Sequence, residues 1–350
     1  MRLPLMAALL SGVCLSATAE GRIAIRAGRF VDVENGEVVN DRLIVIRGER
    51  VEAVLPGSAA IPAGARLIDL SGQTVLPGLI DCHTHIADAV TSTGAAAALE
   101  LSAAQQAFVA AKHARITLLA GFTTTRDVGT WRAFTDVALR DAIDEGIVPG
   151  PRMAVAGTYI TRSGGAGDLT GLPRDILLPP DFRAGIANNA DQVRQRVREL
   201  LNGGANFIKI MATGAVLTRG NKPGVPEFSE AEMRVAVEEA ALFGARVTAH
   251  AHGAEGIKNA IRAGVQTIEH GSLMDDEAIR MLKDHGTFLD PDIYNGDYIA
   301  TEGKRLGWPA EYLRKNDETT DAQRRGRRHD RLAARHPAAA GFSRWHREHR

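Results

Sequence analysis

The 350-residue chain is 45% hydrophobic, so it can bury a large core and accommodate one large domain together with a small one. Its formal net charge is zero, but the charges are unevenly distributed. Residues 324–350 contain nine Arg and two acidic residues, whereas the first 323 residues contain 33 basic and 40 acidic residues. The first 323 residues are therefore mildly acidic, and we do not expect them to bind nucleic acid.

The chain starts with MRLPLMAALLSGVCLSATAEG, in which one Arg precedes an apolar run. Ala17 and Ala19 supply small residues at positions −3 and −1 of a cut after Ala19, which is the pattern of a secretory signal peptide. We predict a signal peptide over residues 1–19 and a secreted or periplasmic protein; the alternative is a buried first strand or helix. The run is too short to span a bilayer, and no membrane partner is expected. After cleavage Cys82 is the remaining cysteine, which excludes an intramolecular disulfide.

Residues 20–76 form the first predicted domain. They contain the runs RIAIRAGRFVDV, RLIVIRGERVEAVL and RLIDLSGQTVL, which are separated by turns containing Gly, Asn and Pro. Apolar and polar residues alternate around Val51 and Val54, as expected for strands with one buried face. This segment predicts a small β-domain.

Residues 77–323 form the second predicted domain, in which short apolar runs alternate with Ala-rich helical stretches. One helix is well marked, because Ser229 and Glu232 make a capping box and the apolar spacing continues to Gly244. Repetition of strand and helix predicts a parallel sheet, either open or closed into a barrel. Seven strands are predicted in this region: Leu76–Ile80, Thr123–Val128, Arg152–Ala156, Asn206–Met211, Arg246–Ala249, Gln266–Glu269 and Thr287–Leu289.

The end of the chain differs in composition from the rest. Residues 301–323 predict a polar helix, and residues 324–350 contain no Val, Ile or Lys but four of the eleven His. A tail that binds nucleic acid or membrane is one interpretation, although it lacks the interleaved aromatic residues that stack on bases. The favoured interpretation is an Arg-rich aberrant or disordered tail, such as a segment read in a different frame of a GC-rich gene.

Three predicted strands end in histidines. His83 and His85 lie two residues apart, so they project from the same face of a strand, and neutral imidazoles in that arrangement can hold a divalent ion. One His-x-His pair is weak evidence in a chain with eleven His. However, His250 and His252 follow a second predicted strand, and His270 follows a third.

Lys209 lies at the end of a fourth predicted strand, NFIKIMATG. Its neighbours Ile208 and Ile210 are apolar, which does not suit a solvated lysine. An amine with a lowered pKa can react with carbon dioxide, and the resulting carbamate is an anionic oxygen ligand. Chemistry in parallel barrels takes place at the carboxyl ends of the strands, so these four strand ends together predict a metal site.

Four motifs, VLPGLIDCHTHI, GANFIKIMATGAV, ARVTAHAHG and GVQTIEHGS, resemble the amidohydrolase superfamily, in particular its imidazolonepropionase-like and Xaa-Pro dipeptidase-like branch. The similarity runs from about residue 22 to residue 320. It implies a TIM-like (β/α)8 barrel of the metal-dependent hydrolase type, flanked by a β-sandwich that both ends of the chain build. It also implies one or two divalent ions, with zinc as the expected metal, and hydrolysis of an amide bond in a small amide, cyclic amide or dipeptide substrate. The resemblance is compatible with a monomer and with a homo-oligomer.

The resemblance also implies roles for particular residues. His252 is expected to contact the substrate or to lie behind the ligands, and Tyr294 is expected to contact the substrate. The implied metal ligands are His83 and His85 for the first ion, a carboxylated Lys209 as the bridge, and His250 and His270 for the second ion.

The sequence departs from the family at the position of the general base. That base is an Asp at the end of strand 8, within GTDAG or a similar sequence, and no such motif follows Tyr294. Asp290 and Asp292 belong to predicted strand seven instead, and Ala166 stands where relatives tend to carry His. We therefore expect an incomplete, C-terminally truncated barrel of about seven strands with a partial sandwich, and we assign no catalytic residue. Two functions follow from these motifs: an amidohydrolase, or an inactive member of that family that at most binds metal.

Overall fold

The computed structural model describes residues 21–88, 97–173 and 175–325. The predicted signal peptide, residues 1–19, and most of the predicted tail, residues 326–350, lie outside these ranges. The chain divides into two compact units, of which the first ends at Gly78 and the second begins at Leu79. Within the described ranges, no helix is both long enough and apolar enough to cross a membrane.

The first unit contains a four-stranded sheet. Its strands, in the sheet order β3-β2-β1-β4, are β1 (Arg22–Asp32), β2 (Glu37–Arg47), β3 (Arg50–Pro56) and β4 (Arg66–Val75). β1 is antiparallel to β2 and parallel to β4. A Cβ on Gly28 would be 1.9 Å from the carbonyl oxygen of Ser71, so the irregularity in the parallel ladder of β1 and β4 at this point requires glycine. The described residues of this unit supply one sheet, not the second sheet that a sandwich needs.

The second unit alternates strands with helices. Its strands are β5 (Leu79–Thr84), β6 (Phe122–Asp127), β7 (Arg152–Val155), β8 (Tyr159–Ile160), β9 (Ile208–Met211), β10 (Val247–Gly253), β11 (Thr267–Leu273) and β12 (Phe288–Asp290). Its helices are α1 (Ala103–Leu119), α2 (Thr135–Asp144), α3 (Ala190–Asn202), α4 (Glu230–Leu242), α5 (Ala254–Ala263), α6 (Asp276–His285), α7 (Ile293–Tyr298) and α8 (Ala310–Arg325). The ladders between these strands are parallel, in the orders β5-β6-β7 and β12-β11-β10-β9-β8. The predicted parallel α/β fold is confirmed.

The first strand of this unit starts later than predicted. The sequence predicts a strand over Leu76–Ile80, whereas β5 begins at Leu79. Pro77 has no N–H to donate to a ladder, which accounts for the later start. The strand ends at Thr84, so His83 lies inside it and His85 directly follows its last residue.

β8 is a further short strand that the sequence did not indicate. It follows β7 after a turn in which Gly157 has a φ of 78°, in the left-handed region that favours glycine. β7 pairs with β6, and β8 pairs with β9, so this turn connects the two parallel sheets. Among the described residues no ladder joins β12 to β5, and we call this open edge the β12–β5 seam.

One face of β10 packs in the core of the second unit, and this determines which of its side chains point away from that core. Val247, Ala249 and Ala251 of β10 are buried in its largest hydrophobic cluster, which also includes residues of α3, α4 and α5. Side chains alternate between the two faces of a strand, so His250 and His252 project to the face opposite this cluster.

Candidate metal centre

The histidines predicted as ligands lie together at the carboxyl ends of β5, β10 and β11. The ring centroid of His270 is 4.7 Å from that of His83 and 4.6 Å from that of His250. The rings of His83 and His85 are 5.4 Å apart, and His252 stacks on His270 at 4.9 Å. We call these five residues the histidine cluster: His83, His85, His250, His252 and His270.

Lys209 contributes an amine to the same cavity from β9. It is paired in register with Tyr159 of β8 and Thr248 of β10, and it is 2% exposed. Burial lowers the pKa of Lys209 to about 8, although the neighbouring Glu269 carboxylate opposes the shift. A substantial fraction of this amine is therefore neutral near pH 7.

Two histidines are held through their Nδ1 atoms. Nδ1 of His83 lies 2.7 Å from Oε2 of Glu269, and Nδ1 of His85 lies 2.7 Å from the carbonyl oxygen of Gly129. A carbonyl oxygen can only accept, so Nδ1 of His85 carries the proton, and an ionised Glu269 imposes the same tautomer on His83. This arrangement leaves Nε2 of both rings with a lone pair, as in metal-binding histidines.

Glu269 is a fully buried carboxylate that sequence reasoning missed. Besides His83, it accepts hydrogen bonds from Arg126 at 2.6 Å and from the hydroxyl group of Thr248. Burial by itself raises the pKa of Glu269, but the charges of Arg126 and Lys209 outweigh it and hold the pKa well below its ordinary value. One signal was visible in the sequence, since Arg126 is a charged residue within a predicted buried strand.

Four imidazoles of the cluster are neutral at pH 7: His85, His250, His252 and His270. Desolvation lowers the pKa of His85 to about 3 and that of His252 to about 4. Burial, followed by the charges of the neighbouring histidines, also holds the pKa values of His250 and His270 well below the ordinary value. Neutral imidazole is the form that binds metal ions, so no proton must be displaced from these rings near neutral pH.

Similarity to known proteins agrees with this geometry. The model of the Amidohydrolase family matches residues 74–335, which is most of the chain. The chain belongs to the amidohydrolase family. The resemblance inferred from the four motifs is thereby confirmed.

Several proteins similar to this amidohydrolase are named as hydrolases. The ochratoxinase of Aspergillus niger is 31% identical over 288 residues, which cover 78% of this chain and 59% of that protein. A crystal structure of a Xaa-Pro dipeptidase with bound methionine in the active site has a TM-score of 0.80 and 35% identity, covering 87% of this chain and 75% of that one. A prolidase complexed with N-methylphosphonate-L-proline has a TM-score of 0.79 and 33% identity, covering 89% of this chain and 76% of that one. The chain thus spans about 59% of the length of the curated ochratoxinases that it matches.

The histidine cluster and Lys209 line a cavity of about 670 Å³ in this amidohydrolase. One wall is apolar, and another is the polar face of α8. The apolar wall comprises Trp131, Tyr159, Ala166, Met211 and Ala215. The α8 wall comprises Tyr312, Asn316, Thr319, Thr320 and Gln323. A volume of this size is typical of small-molecule sites.

The buried carboxyl group of Asp88 holds two residues of the apolar wall in place by hydrogen bonds. Asp88 accepts hydrogen bonds from the backbone N–H of Trp131 and the hydroxyl group of Tyr159, each at 3.0 Å. Burial raises the pKa of Asp88 to about 7. No sequence pattern singled out Asp88, because its role depends on partners 43 and 71 residues away.

The two residues predicted to contact substrate lie in different surroundings. Nδ1 of His252 is 3.1 Å from the hydroxyl oxygen of Ser272, and both residues line the cavity. Tyr294 is 74% exposed and is not among the residues that line the cavity. The short helix α7 directs Asn295 and Tyr298 to the cavity instead.

Two carboxylates that sequence reasoning set aside lie close to the histidine cluster. Oδ2 of Asp292 is 3.3 Å from Nδ1 of His270. Asp290, Glu269 and His83 likewise have potential ligand atoms within 4.8 Å of one another. The end of β12 therefore brings acidic oxygens to the histidine nitrogens.

Proposed function

We propose that this chain is a metal-dependent hydrolase of carbon–nitrogen (amide) bonds in small molecules. The observation that carries the proposal is the histidine cluster, whose five rings line one cavity together with Lys209. Membership of the amidohydrolase family supports hydrolysis, and relatives called Xaa-Pro dipeptidase and prolidase support dipeptide-like substrates.

The side chains present fit one or two divalent ions. Glu269 and Gly129 engage Nδ1 of His83 and His85, respectively, and leave their Nε2 atoms to bind an ion. Zinc prefers neutral imidazole nitrogens and anionic oxygens, which these groups supply. The proposed ligands are His83 and His85 for one ion, His250 and His270 for a second, and Lys209 as a carbamate between them.

When bound, a divalent ion would polarise the scissile carbonyl group and lower the pKa of a coordinated water. The chain's own residues bind and orient the substrate. The apolar wall, with Trp131 and Tyr159, suits an aliphatic or aromatic side chain, and Asn316 on the α8 wall suits a polar end.

The proposal is tested by metal loading followed by hydrolysis of a dipeptide and N-acyl amino acid panel that includes Xaa-Pro dipeptides. We expect bound zinc by elemental analysis, and release of free amino acid that a chelator abolishes. His250→Ala should lose both, whereas the matched control His285→Ala, at an exposed position in α6, should keep both. Zinc binding by a folded chain without hydrolysis of any amide would replace the proposal with an inactive metal-binding member.

The proposed location is outside the cytoplasm, which the N-terminal apolar run and Ala17-Thr18-Ala19 support. N-terminal sequencing of the protein from its native host tests this, because cleavage after Ala19 leaves Glu20 as the first residue. An intact N-terminus at Met1 would contradict it.

A further inference from the structure

Asp292 places a carboxylate at the histidine cluster. It lies two residues beyond β12 and lines the cavity. Its Oδ2 approaches Nδ1 of His270 to 3.3 Å. The potential ligand atoms of His83, His270 and Asp292 all lie within 4.8 Å of one another, so one cation can contact all three side chains.

The backbone at Asp292 is held in an unfavourable conformation. Its φ of 47° and ψ of 54° lie in the left-handed region, which costs free energy for residues other than glycine. Four described residues other than glycine have a positive φ, and two of them, His270 and Asp292, are this contacting pair. Strain of this kind concentrates at functional sites, because the surrounding structure must hold it in place.

The side chain of Asp292 has no competing role in its own helix. Asp292 occupies the N-cap position of α7, where an Asp side chain ordinarily accepts a hydrogen bond from the first turn, yet it makes no such bond. Asp290 differs, since its Oδ2 lies 3.7 Å from Nη2 of Arg126, which compensates its charge. Of these two carboxylates, Asp292 is the one free to bind a cation.

We propose that Asp292 is an oxygen ligand of the metal centre and binds the ion assigned above to His270. This inference rests on the proposed function, because it takes for granted that the cluster binds a divalent ion. It gives the centre an aspartate from the end of β12, whereas the resemblance to the family led us to expect that aspartate at the end of an eighth strand.

The test measures zinc affinity by chelator competition on the purified full chain at pH 7. Asp292→Asn keeps the size of the side chain and tolerates a left-handed φ, so the variant should fold. We expect it to bind zinc at least about 10-fold more weakly, in line with losses seen on disturbing metal sites. Asp297→Asn, at an exposed position in the same helix, should bind zinc as the wild type does, within about 2-fold. Asp290→Asn tests the other carboxylate and should lose less zinc affinity than Asp292→Asn.

A second variant separates ligation from folding. Asp292→Gly relieves the left-handed strain, so we expect the metal-free protein to melt at a higher temperature than the wild type while its zinc affinity falls as in Asp292→Asn. Wild-type zinc affinity in both Asp292 variants would overturn the inference and leave the proposed function standing. A wild-type chain that binds no zinc would overturn both. A loss confined to Asp290→Asn would assign the ligand to Asp290 and reject Asp292.

Discussion

The buried amine of Lys209 gives the sharpest test of the proposed centre. With a pKa of about 8, roughly one Lys209 side chain in ten is neutral at pH 7, compared with about one in 3000 for a lysine with a pKa near 10.5. Burial therefore increases the reactive form by about 300-fold. Because the neutral amine reacts with carbon dioxide to give a carbamate and a proton, we expect Lys209 to carboxylate at neutral pH.

The assay follows ¹³C-labelled bicarbonate by NMR in metal-free and zinc-loaded protein. One carbamate carbon per chain is expected, and Lys209→Ala should abolish it. In the metal-free protein the neutral fraction increases as pH rises towards the pKa, so labelling should increase steeply from pH 6 to pH 8 and level off above it. Zinc loading should retain the label at lower pH if, as proposed, the carbamate of Lys209 is one of its ligands.

Lys258 provides an internal control in α5. Hydrogen bonds to Glu277 and Asp275 raise the pKa of Lys258, so its amine stays protonated and should take up no label. Lys258→Ala should therefore leave the signal unchanged. The reasoning is refuted if the wild type takes up no label at pH 8, or if labelling increases only near pH 10.5, where an ordinary lysine titrates.

Three further changes test other parts of the structure. Glu269→Gln should weaken zinc binding by about 10- to 100-fold in chelator competition, because it removes the charged acceptor that orients His83. Burial raises the pKa of Glu227 to about 7, so this one carboxyl should lower the unfolding free energy by about 2–3 kcal/mol between pH 5 and pH 8; in urea titrations the difference between wild type and Glu227→Gln should change by that amount over this range. A Cβ on Gly185 would lie 1.8 Å from the carbonyl oxygen of Tyr159, so Gly185→Ala should lower the melting temperature and displace β8.

Each of these variants has a matched control. Glu238→Gln, at an exposed position of α4, should leave the zinc affinity and the pH dependence of unfolding unchanged. Gly72→Ala introduces a methyl group that meets no atom within 4 Å, so its melting temperature should match the wild type. Unaltered zinc binding in Glu269→Gln, a Glu227→Gln curve parallel to the wild type, or a Gly185→Ala variant as stable as Gly72→Ala would contradict the respective argument.

The sequence predicted the parallel strands because each is a short apolar run between helical stretches. It also placed His83, His250 and His270 at strand ends, since strand periodicity and chain order suffice for that. It missed β8, because two residues carry no periodicity. It could not reveal the contact between Glu269 and Arg126, which are 143 residues apart and meet only when β6 and β11 face the same interior.

The same argument applies to Asp292. In the sequence Asp292 follows predicted strand seven, whereas the family carries its aspartate at the end of strand 8. A strand assignment also says nothing about the direction of the backbone that follows the strand. Its left-handed conformation after Pro291 places the side chain beside His270, and that geometry depends on packing in three dimensions.

The β12–β5 seam has a consequence for how the fold responds to metal. Among the described residues, β5 has a ladder on one side, to β6, and across the interior it is linked to β11 through His83 and Glu269. The proposed centre, with His83 on one ion and His270 on the other, would cross-link two residues that are 187 positions apart and so restrict the unfolded chain. Metal removal should therefore loosen β5 before the helices that cover β9 and β10, and amide hydrogen exchange should be fastest on that strand.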